Sequence, residues 1–352
     1  MRVNHRCITI LVTWAIFSLI LEGCRAPVEV IPASTTIPSN PTTDIGGLNP
    51  DEVQTLESLE KVSDYPFYVM YYSGGYEYPK LLSLPSDRNP IGCSLFAALG
   101  ESDDKLYGRN FDWEFSPALL VFTDPPDGYA SASMVDLTFL DIAASDATQL
   151  TNLRLQERIN LLDAPALPFD GMNEYGLAIG MAAVPDEYAD DTSYDPARPT
   201  IGSIGIMRQV LDHARNVEEA VEIFGQYNVR FSGGPPIHYL LADRSGEAML
   251  IEFYNGQMGQ LPNENPWHLA TNHLRCIAQG DGGCWRYRTL SEHLTQLNGQ
   301  LDGPSAMQLL SEVKQESTQW SAIYNVTTGD IQVVVGRDYA TSYSFHLELA
   351  EQ

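Results

Sequence analysis

The sequence predicts an α+β protein in which antiparallel sheets are covered by helices, and three observations carry that. Apolar segments of strand length come in pairs around Gly- and Asp-containing turns. Helical patterns are inserted between those pairs. With 44% hydrophobic residues among 352, the chain can bury a large core. Strands joined by hairpins go into antiparallel sheets, and the apolar stripe of each inserted helix needs a sheet face to cover.

Residues 1–24, MRVNHRCITILVTWAIFSLILEGC, set a basic stretch before an apolar run from Ile8 to Leu21. That run is short for a bilayer span and fits a secretory signal. Its end, Leu21-Glu22-Gly23-Cys24, resembles a bacterial lipobox in which Glu22 is the imperfect position. The expectation is an exported protein held on the bacterial cell membrane by a lipid on Cys24; the alternative is a plain signal peptide cut nearby. Residues 25–50 contain APVEVIPASTTIPSNPTT, rich in Pro, Ser and Thr without a hydrophobic period, which reads as a tether.

Residues 51–92 make an N-terminal segment. DEVQTLESLEKV places Val53, Leu56, Leu59 and Val62 at helical spacing behind an acidic first turn, which predicts a short amphipathic helix. DYPFYVMYYSGGYEYPKLLSL, dense in aromatics and broken at Gly74-Gly75, predicts strands. So much apolar surface is expected to pack on the domain that follows.

Asn89 to Trp113, NPIGCSLFAALGESDDKLYGRNFDW, holds the candidate chemistry. CSLFAALG and KLYGRNFDW read as strands of a hairpin around the polar Glu101–Asp104 loop, which brings the Arg109 end back beside Cys93. If the Gly92–Cys93 bond is cut, Cys93 carries both a thiol and a free α-amine. A thiol of pKa about 8.5 needs a base, and an α-amine of pKa about 7.7–8.0 is one at neutral pH. Arg109 would then lower the thiol pKa and Asp112 would hold the amine. In a regular strand those two side chains point to opposite faces, so both reach Cys93 only if the strand ends or bulges near Asn110. The plainer alternative is a buried structural cysteine beside an ion pair.

Beyond Trp113 the chain, with 93–352 as one domain, continues in pairs. LLVFT and SASMVDLTFLDIAA read as strands, Ser203–His213 and Val217–Tyr227 as helices, the second N-capped by Asn216. IHYLLADRSGEAMLIEFY and WSAIYNVTTGDIQVVVG read as hairpins, with helices at about Arg286–Gln296 and Ser305–Lys314 between them.

The Cys93 segment resembles the N-terminal-nucleophile (Ntn) cysteine hydrolases of the choloylglycine hydrolase and penicillin V acylase family, with the related isopenicillin N acyltransferases and acid ceramidases. Those enzymes begin their mature chain with Cys, then a strand, a turn and a Gly-Arg-Asn-x-Asp-Trp strand, as Cys93 and Gly108–Trp113 do here. FDGMNEYGLAIG, LATNHL and CWRYRTL resemble the family's Asn-Glu-x-Gly-Leu, Thr-Asn and late Arg segments.

The resemblance implies a four-layer αββα sandwich and a self-processing hydrolase of linear amides working through a thioester. It implies Cys93 as nucleophile, Arg109 and Asp112 as its supports, Asn272 as the oxyanion amide and Arg286 as a second arginine; no cofactor is implied. Where bile salt hydrolases carry a second oxyanion Asn, this chain has Ala182, Ala183 and Val184, so a backbone N–H is expected there. An acyltransferase on the same site is the alternative, and an inactive surface binding lipoprotein is the rival of another class.

The net charge of −26, with 46 acidic and 20 basic residues, makes nucleic acid a poor partner and says little about the substrate, for which the resemblance implies a small N-acyl amide. Nothing in the pattern separates a monomer from a homo-oligomer. Cys276 and Cys284 flank IAQGDGG, and in an exported protein that spacing fits a disulfide, with two free thiols as the alternative. A Cys/His pair would need His213, His238, His268, His273, His293 or His346 beside Cys93. His273 is the nearest in sequence to Asn272, and a strand would turn it the other way.

Overall fold

The computed structural model describes residues 47–77, 92–100, 104–143, 145–188, 192, 194–231, 234–278 and 280–351. The expected signal segment with Cys24, the tether up to residue 46, the end of the aromatic stretch within residues 78–91, and most of the hairpin loop at 101–103 lie outside the described residues.

The N-terminal segment opens with α1 (Pro50–Glu57), whose Asn49 cap accepts from the Glu52 N–H at 3.0 Å while Glu52 accepts from the Asn49 N–H at 2.7 Å. The helix expected as far as Val62 stops at Glu57 and gives way to β1 (Glu60–Ser63), which pairs antiparallel with β2 (Phe67–Tyr72). Leu59 and Val62 thus join the core outside the helix.

Next come the hairpin β3 (Gly92–Ala98) and β4 (Leu106–Asp112), then β5 (Ala118–Thr123) and β6 (Ser131–Asp136). The strand expected to run on past Asp136 breaks into a 3-10 helix, because the Asp136 carboxylate accepts from the Thr138 N–H at 2.9 Å and its hydroxyl at 2.8 Å. The strands β7 (Asp170–Asn173), β8 (Ala178–Ala183) and β9 (Thr200–Gly202) lead into α2 (Gly205–His213). Asn216 caps α3 (Val217–Gln226), as the sequence predicts, accepting from the Glu219 N–H at 2.9 Å. Then follow β10 (Asn228–Arg230), β11 (Ile237–Ala242), β12 (Ala248–Tyr254), β13 (Gln257–Pro262) and β14 (Trp267–Ala270). The chain closes with α4 (Trp285–Gln296), α5 (Gly303–Glu312), β15 (Thr318–Asn325), β16 (Asp330–Val335) and β17 (Tyr343–His346).

A nine-stranded sheet runs β1-β2-β5-β6-β7-β8-β11-β12-β13 and a six-stranded sheet runs β14-β3-β4-β15-β16-β17. Pairing is antiparallel in both sheets except between β2 and β5, which are parallel because the β3–β4 hairpin between them in sequence crosses to the other sheet. Helices α2 and α3 cover the larger sheet through β7, β8 and β11; α4 and α5 cover the smaller through β14, β3, β4 and β15. The layers are therefore helix, sheet, sheet, helix.

Strand β3 shows the period-two logic that builds this stack. Leu95 and Ala97 join the core between the sheets, while Phe96 and Ala98 join a second apolar cluster under α4 and α5. The two sheets come close at Gly180 of β8, where a Cβ would stand 2.6 Å from the Tyr107 hydroxyl and 2.7 Å from a Leu95 methyl. Only glycine lets β8 lie that near β3.

Candidate active site

Cys93 is the second residue of β3, 5% exposed, at the end of the inter-sheet core. The β3–β4 register pairs Gly92 with Asp112, Cys93 with Phe111 and Leu95 with Arg109. Cys93, Phe111 and Arg109 therefore share the face turned to the larger sheet, and Asp112 points to the other. Strand β4 ends at Asp112, and the irregularity lies in its partner β15, between Thr318 and Trp320. As period two requires, Arg109 reaches the sulfur and Asp112 reaches the surroundings of the Cys93 backbone from behind.

Arg109 is fully buried. Its Nη2 donates to Cys93 Sγ at 3.5 Å, and its Nη1 donates to the Phe169 carbonyl and to Asp170 Oδ2, the latter at 2.7 Å. Asp170 also accepts from Trp320 Nε1 at 3.1 Å and the Tyr324 hydroxyl at 2.5 Å, so three side chains fix the carboxylate that fixes the arginine. Burial pushes the Cys93 thiol above its ordinary value; the Arg109 charge and hydrogen bond oppose that, and the Asp112 charge adds to it.

One consequence is testable by pH. Removing a cation this close moves a thiol pKa up, by roughly one to three units. In an Arg109→Met/Asp170→Asn variant, which leaves neither charge buried alone, iodoacetamide alkylation of Cys93 at pH 8 should slow about tenfold or more, with the rate still climbing at higher pH. An unchanged pH profile would mean that Arg109 does not act on the sulfur.

Around the Cys93 backbone three more groups converge. The Cys93 N–H donates to Asn272 Oδ1 at 2.8 Å, and Asn272 Nδ2 donates to the Ala183 carbonyl at 2.7 Å. Arg286, in the first turn of α4, donates through Nη1 to the Cys93 carbonyl and to Ser94 Oγ at 2.9 Å, and through Nη2 to Asn272 Oδ1 at 2.9 Å. Asp112, fully buried, lies 3.8 Å from Arg286 and accepts from Gln315 Nε2 at 2.6 Å and from Thr318 Oγ1. Burial raises the Asp112 pKa, against which the hydrogen bonds from Thr318 and Gln315 and the Arg286 charge act.

All five residues singled out from the sequence are thus within one cluster. In this uncut chain Asn272 holds the Cys93 nitrogen with its oxygen, the contact expected of Asp112. Asp170, Gln315, Thr318 and Trp320 were not singled out, although Asp170 stands in the FDG stretch. His273 faces away, packed edge-on against Tyr287 at 5.1 Å between centroids.

The sulfur opens on a narrow pocket of about 20 Å³, room for roughly one water, whose walls include Phe111, Trp113, Phe169, Met181 and Ile237. Phe111 stacks on Trp320 at 4.0 Å and lies under the Arg109 guanidinium at 4.9 Å. The pocket is apolar apart from the Cys93–Arg109 end.

The disulfide expected between Cys276 and Cys284 is not formed, and both are free thiols. Cys276 is engaged with Glu252, which accepts its N–H at 2.8 Å, while Cys284 stands at the N-cap of α4. Burial and the Glu252 carboxylate push the Cys276 thiol up to about 12.

Residues 168–337 match the family model of acyl-coenzyme A:6-aminopenicillanic acid acyl-transferase, a span that includes Asp170, Asn272 and Arg286. Among solved structures, the chain is similar to a mutant of the conjugated bile acid hydrolase from Clostridium perfringens. The two share 15% identity at a TM-score of 0.53, over 72% of this chain and 92% of that one. It is also similar to penicillin V acylase from Agrobacterium tumefaciens, 16% identical at a TM-score of 0.50 over 74% of this chain and 88% of that one. The helix–sheet–sheet–helix stack is thus the αββα fold that this chain shares with these two structures, and its second half carries the match to the acyl-transferase family.

Proposed function

We propose that the protein is a self-processing cysteine amidase that cuts its own Gly92–Cys93 bond and then hydrolyses small linear N-acyl amides. The observation that carries this is the convergence on one residue: Arg109 on the Cys93 sulfur, Asn272 on its nitrogen and Arg286 on its carbonyl oxygen. A merely structural cysteine needs none of these.

In maturation the Cys93 thiol adds to the Gly92 carbonyl carbon. The C–N bond breaks, its nitrogen takes up the proton to become the α-amine, and water opens the resulting thioester to leave Gly92 with a carboxylate. In turnover the α-amine takes the thiol proton and the sulfur attacks the substrate carbonyl. Asn272 Nδ2, beside the pocket residue Ala183, and a backbone N–H of the 182–184 segment stabilise the oxyanion. The α-ammonium then protonates the leaving amine, and water hydrolyses the thioester. The aromatic walls of the pocket support an apolar acyl group. A second reading, acyl transfer, is favoured by the family whose model matches residues 168–337. It differs only in that an amine or thiol replaces water.

The uncut N-terminal segment gives this proposal a physical readout. Leu56, Phe67, Tyr68, Val69 and Met70 are completely buried, and at about 1.5–3 kcal/mol each they are expected to hold the segment on the domain after cutting. Protein expressed from residue 25 onward should therefore elute as one particle containing two chains, one ending at Gly92 and one starting Cys-Ser-Leu-Phe. Intact mass and N-terminal sequencing check this. A single uncut chain would remove the amine base and the mechanism with it, and recovery of the Cys93 chain alone would make the segment a discarded propeptide. Export and lipidation at Cys24 belong to the same proposal.

A further inference from the structure

His238 and Glu252 are completely buried, and no step above uses them. The register of β11 with β12, Tyr239 against Ile251, makes them cross-strand neighbours on the face of the larger sheet that looks toward β14. His238 Nδ1 lies 3.1 Å from Glu252 Oε1, and Nε2 lies 2.6 Å from the Thr271 carbonyl oxygen. Glu252 in turn accepts the Arg275 N–H on Oε1 at 2.7 Å and the Cys276 N–H on Oε2 at 2.8 Å.

These partners fix one proton of the ring. A carbonyl oxygen can only accept, so Nε2 carries a hydrogen. The Glu252 carboxyl already accepts two backbone N–H groups, and Nδ1 of the same ring faces it, so the imidazole bridges Glu252 and the Thr271 carbonyl. Burial alone would raise the Glu252 pKa; its hydrogen bonds and the facing His238 ring bring it to about 2 instead.

The three backbone groups all belong to one irregular stretch. β14 ends at Ala270, and residues 271–276 follow it with Asn272 among them. One tie is made at the residue before Asn272 and two are made just after it. Asn272 itself spans the sheets, holding Cys93 of the smaller and Ala183 of the larger.

We propose that His238 and Glu252 are positioning residues that hang the 271–276 stretch from the larger sheet and so hold Asn272 on the Cys93 nitrogen. This rests on the reading of Asn272 as a working member of the site. It gives the buried pair a task in self-cutting and turnover that a packing role does not include.

The test is a double-mutant cycle on self-cutting, which requires no substrate to be identified. His238→Gln and Glu252→Gln are each made alone and with Asn272→Ala, and the appearance of the Cys93 chain is followed by intact mass after synthesis. Each single variant should cut about a hundredfold more slowly, as expected when a catalytic group is displaced by roughly 1 Å, and neither should slow the Asn272→Ala protein further. Full-rate cutting in both variants, or losses that add to that of Asn272→Ala, would overturn the proposal alone. Full-rate cutting by Asn272→Ala itself would instead take down the reading of Asn272. Should the variants not fold, the unaltered chain carrying Cys93→Ala and ¹⁵N-labelled histidine supplies a second readout. A slowly exchanging Nε2–H signal for His238, bonded to the Thr271 carbonyl, is expected, and its absence would overturn the proposal.

Discussion

Cys93→Ala should leave the chain in one piece and lower amide turnover by about a million-fold, the scale seen when the nucleophile of an acyl-transfer enzyme is removed. The loss should be chemical and not structural. Cys93 packs in the inter-sheet core, and exchanging SH for H there removes one small apolar group, with a cost of about 1 kcal/mol. Thermal unfolding followed beside intact mass should show a shift of a few degrees at most, together with no new N-terminus. Cys93→Ser sharpens the argument. A hydroxyl fits the same space, yet burial opposes its ionisation even more than that of the thiol, so cutting should be slow and turnover slower still. A Cys93→Ala protein that still hydrolyses amides would place the chemistry elsewhere, and one that binds an apolar acyl ligand unchanged from a parent without turnover would point to a binding protein.

Why the site could be located in the sequence, and its support could not, follows from how each is built. Cys93, Arg109 and Asp112 lie on one hairpin, where local apolar runs around a polar turn specify the pairing and period two specifies the faces. Arg109 reaches the sulfur from one face and Asp112 reaches Gln315, Thr318 and Arg286 from the other, as that period dictates. The groups that hold these side chains come from far along the chain. Asp170 is 61 residues from Arg109, while Gln315 and Thr318 are 203 and 206 residues from Asp112, and no local pattern announces such partners. The same distinction separates the elements. The Asn216 cap writes α3 into the sequence, whereas β13, QMGQLP, is half-exposed and lacks a β-branched residue, and it forms because Asn255-Gly256 turns it back along β12. Cys276 and Cys284 have a spacing that fits a bridge, yet both thiols are free, and spacing alone does not carry the geometry a bridge needs. The αββα stack itself was available through family resemblance and not through periodicity.

Gly92→Val should stop self-cutting while leaving the chemistry of the mature enzyme intact, since Gly92 ends the N-terminal chain and is no longer bonded to Cys93. Its φ of +150° belongs to a region that is essentially glycine's own, costing any other residue about 1–3 kcal/mol. There is also no room. A Cβ at Gly92 would stand 2.6 Å from Gln315 Nε2, 3.2 Å from Arg286 Nη2 and 3.3 Å from Asn272 Oδ1. Gln315 is a flexible side chain and could swing aside, but it donates to Asp112 at 2.6 Å, and Arg286 and Asn272 are the groups that hold the Cys93 backbone. A side chain at this position therefore displaces the scissile carbonyl and its supports together, and a displacement of roughly 1 Å is enough to cost about a hundredfold in rate. Alanine should slow cutting by about that factor, and valine, which also restricts the backbone, by more. The comparison that isolates the cause uses the same variant assembled from two separately expressed chains, residues 25–92 with Gly92→Val and residues 93–352 starting at Cys93. That assembly should turn over amides at the rate of the self-cut protein, because the strained bond is no longer there to be broken. If it were as slow as the single chain is to cut, Gly92 would be acting on the finished site, and the geometry around Gln315 would matter to turnover and not only to maturation.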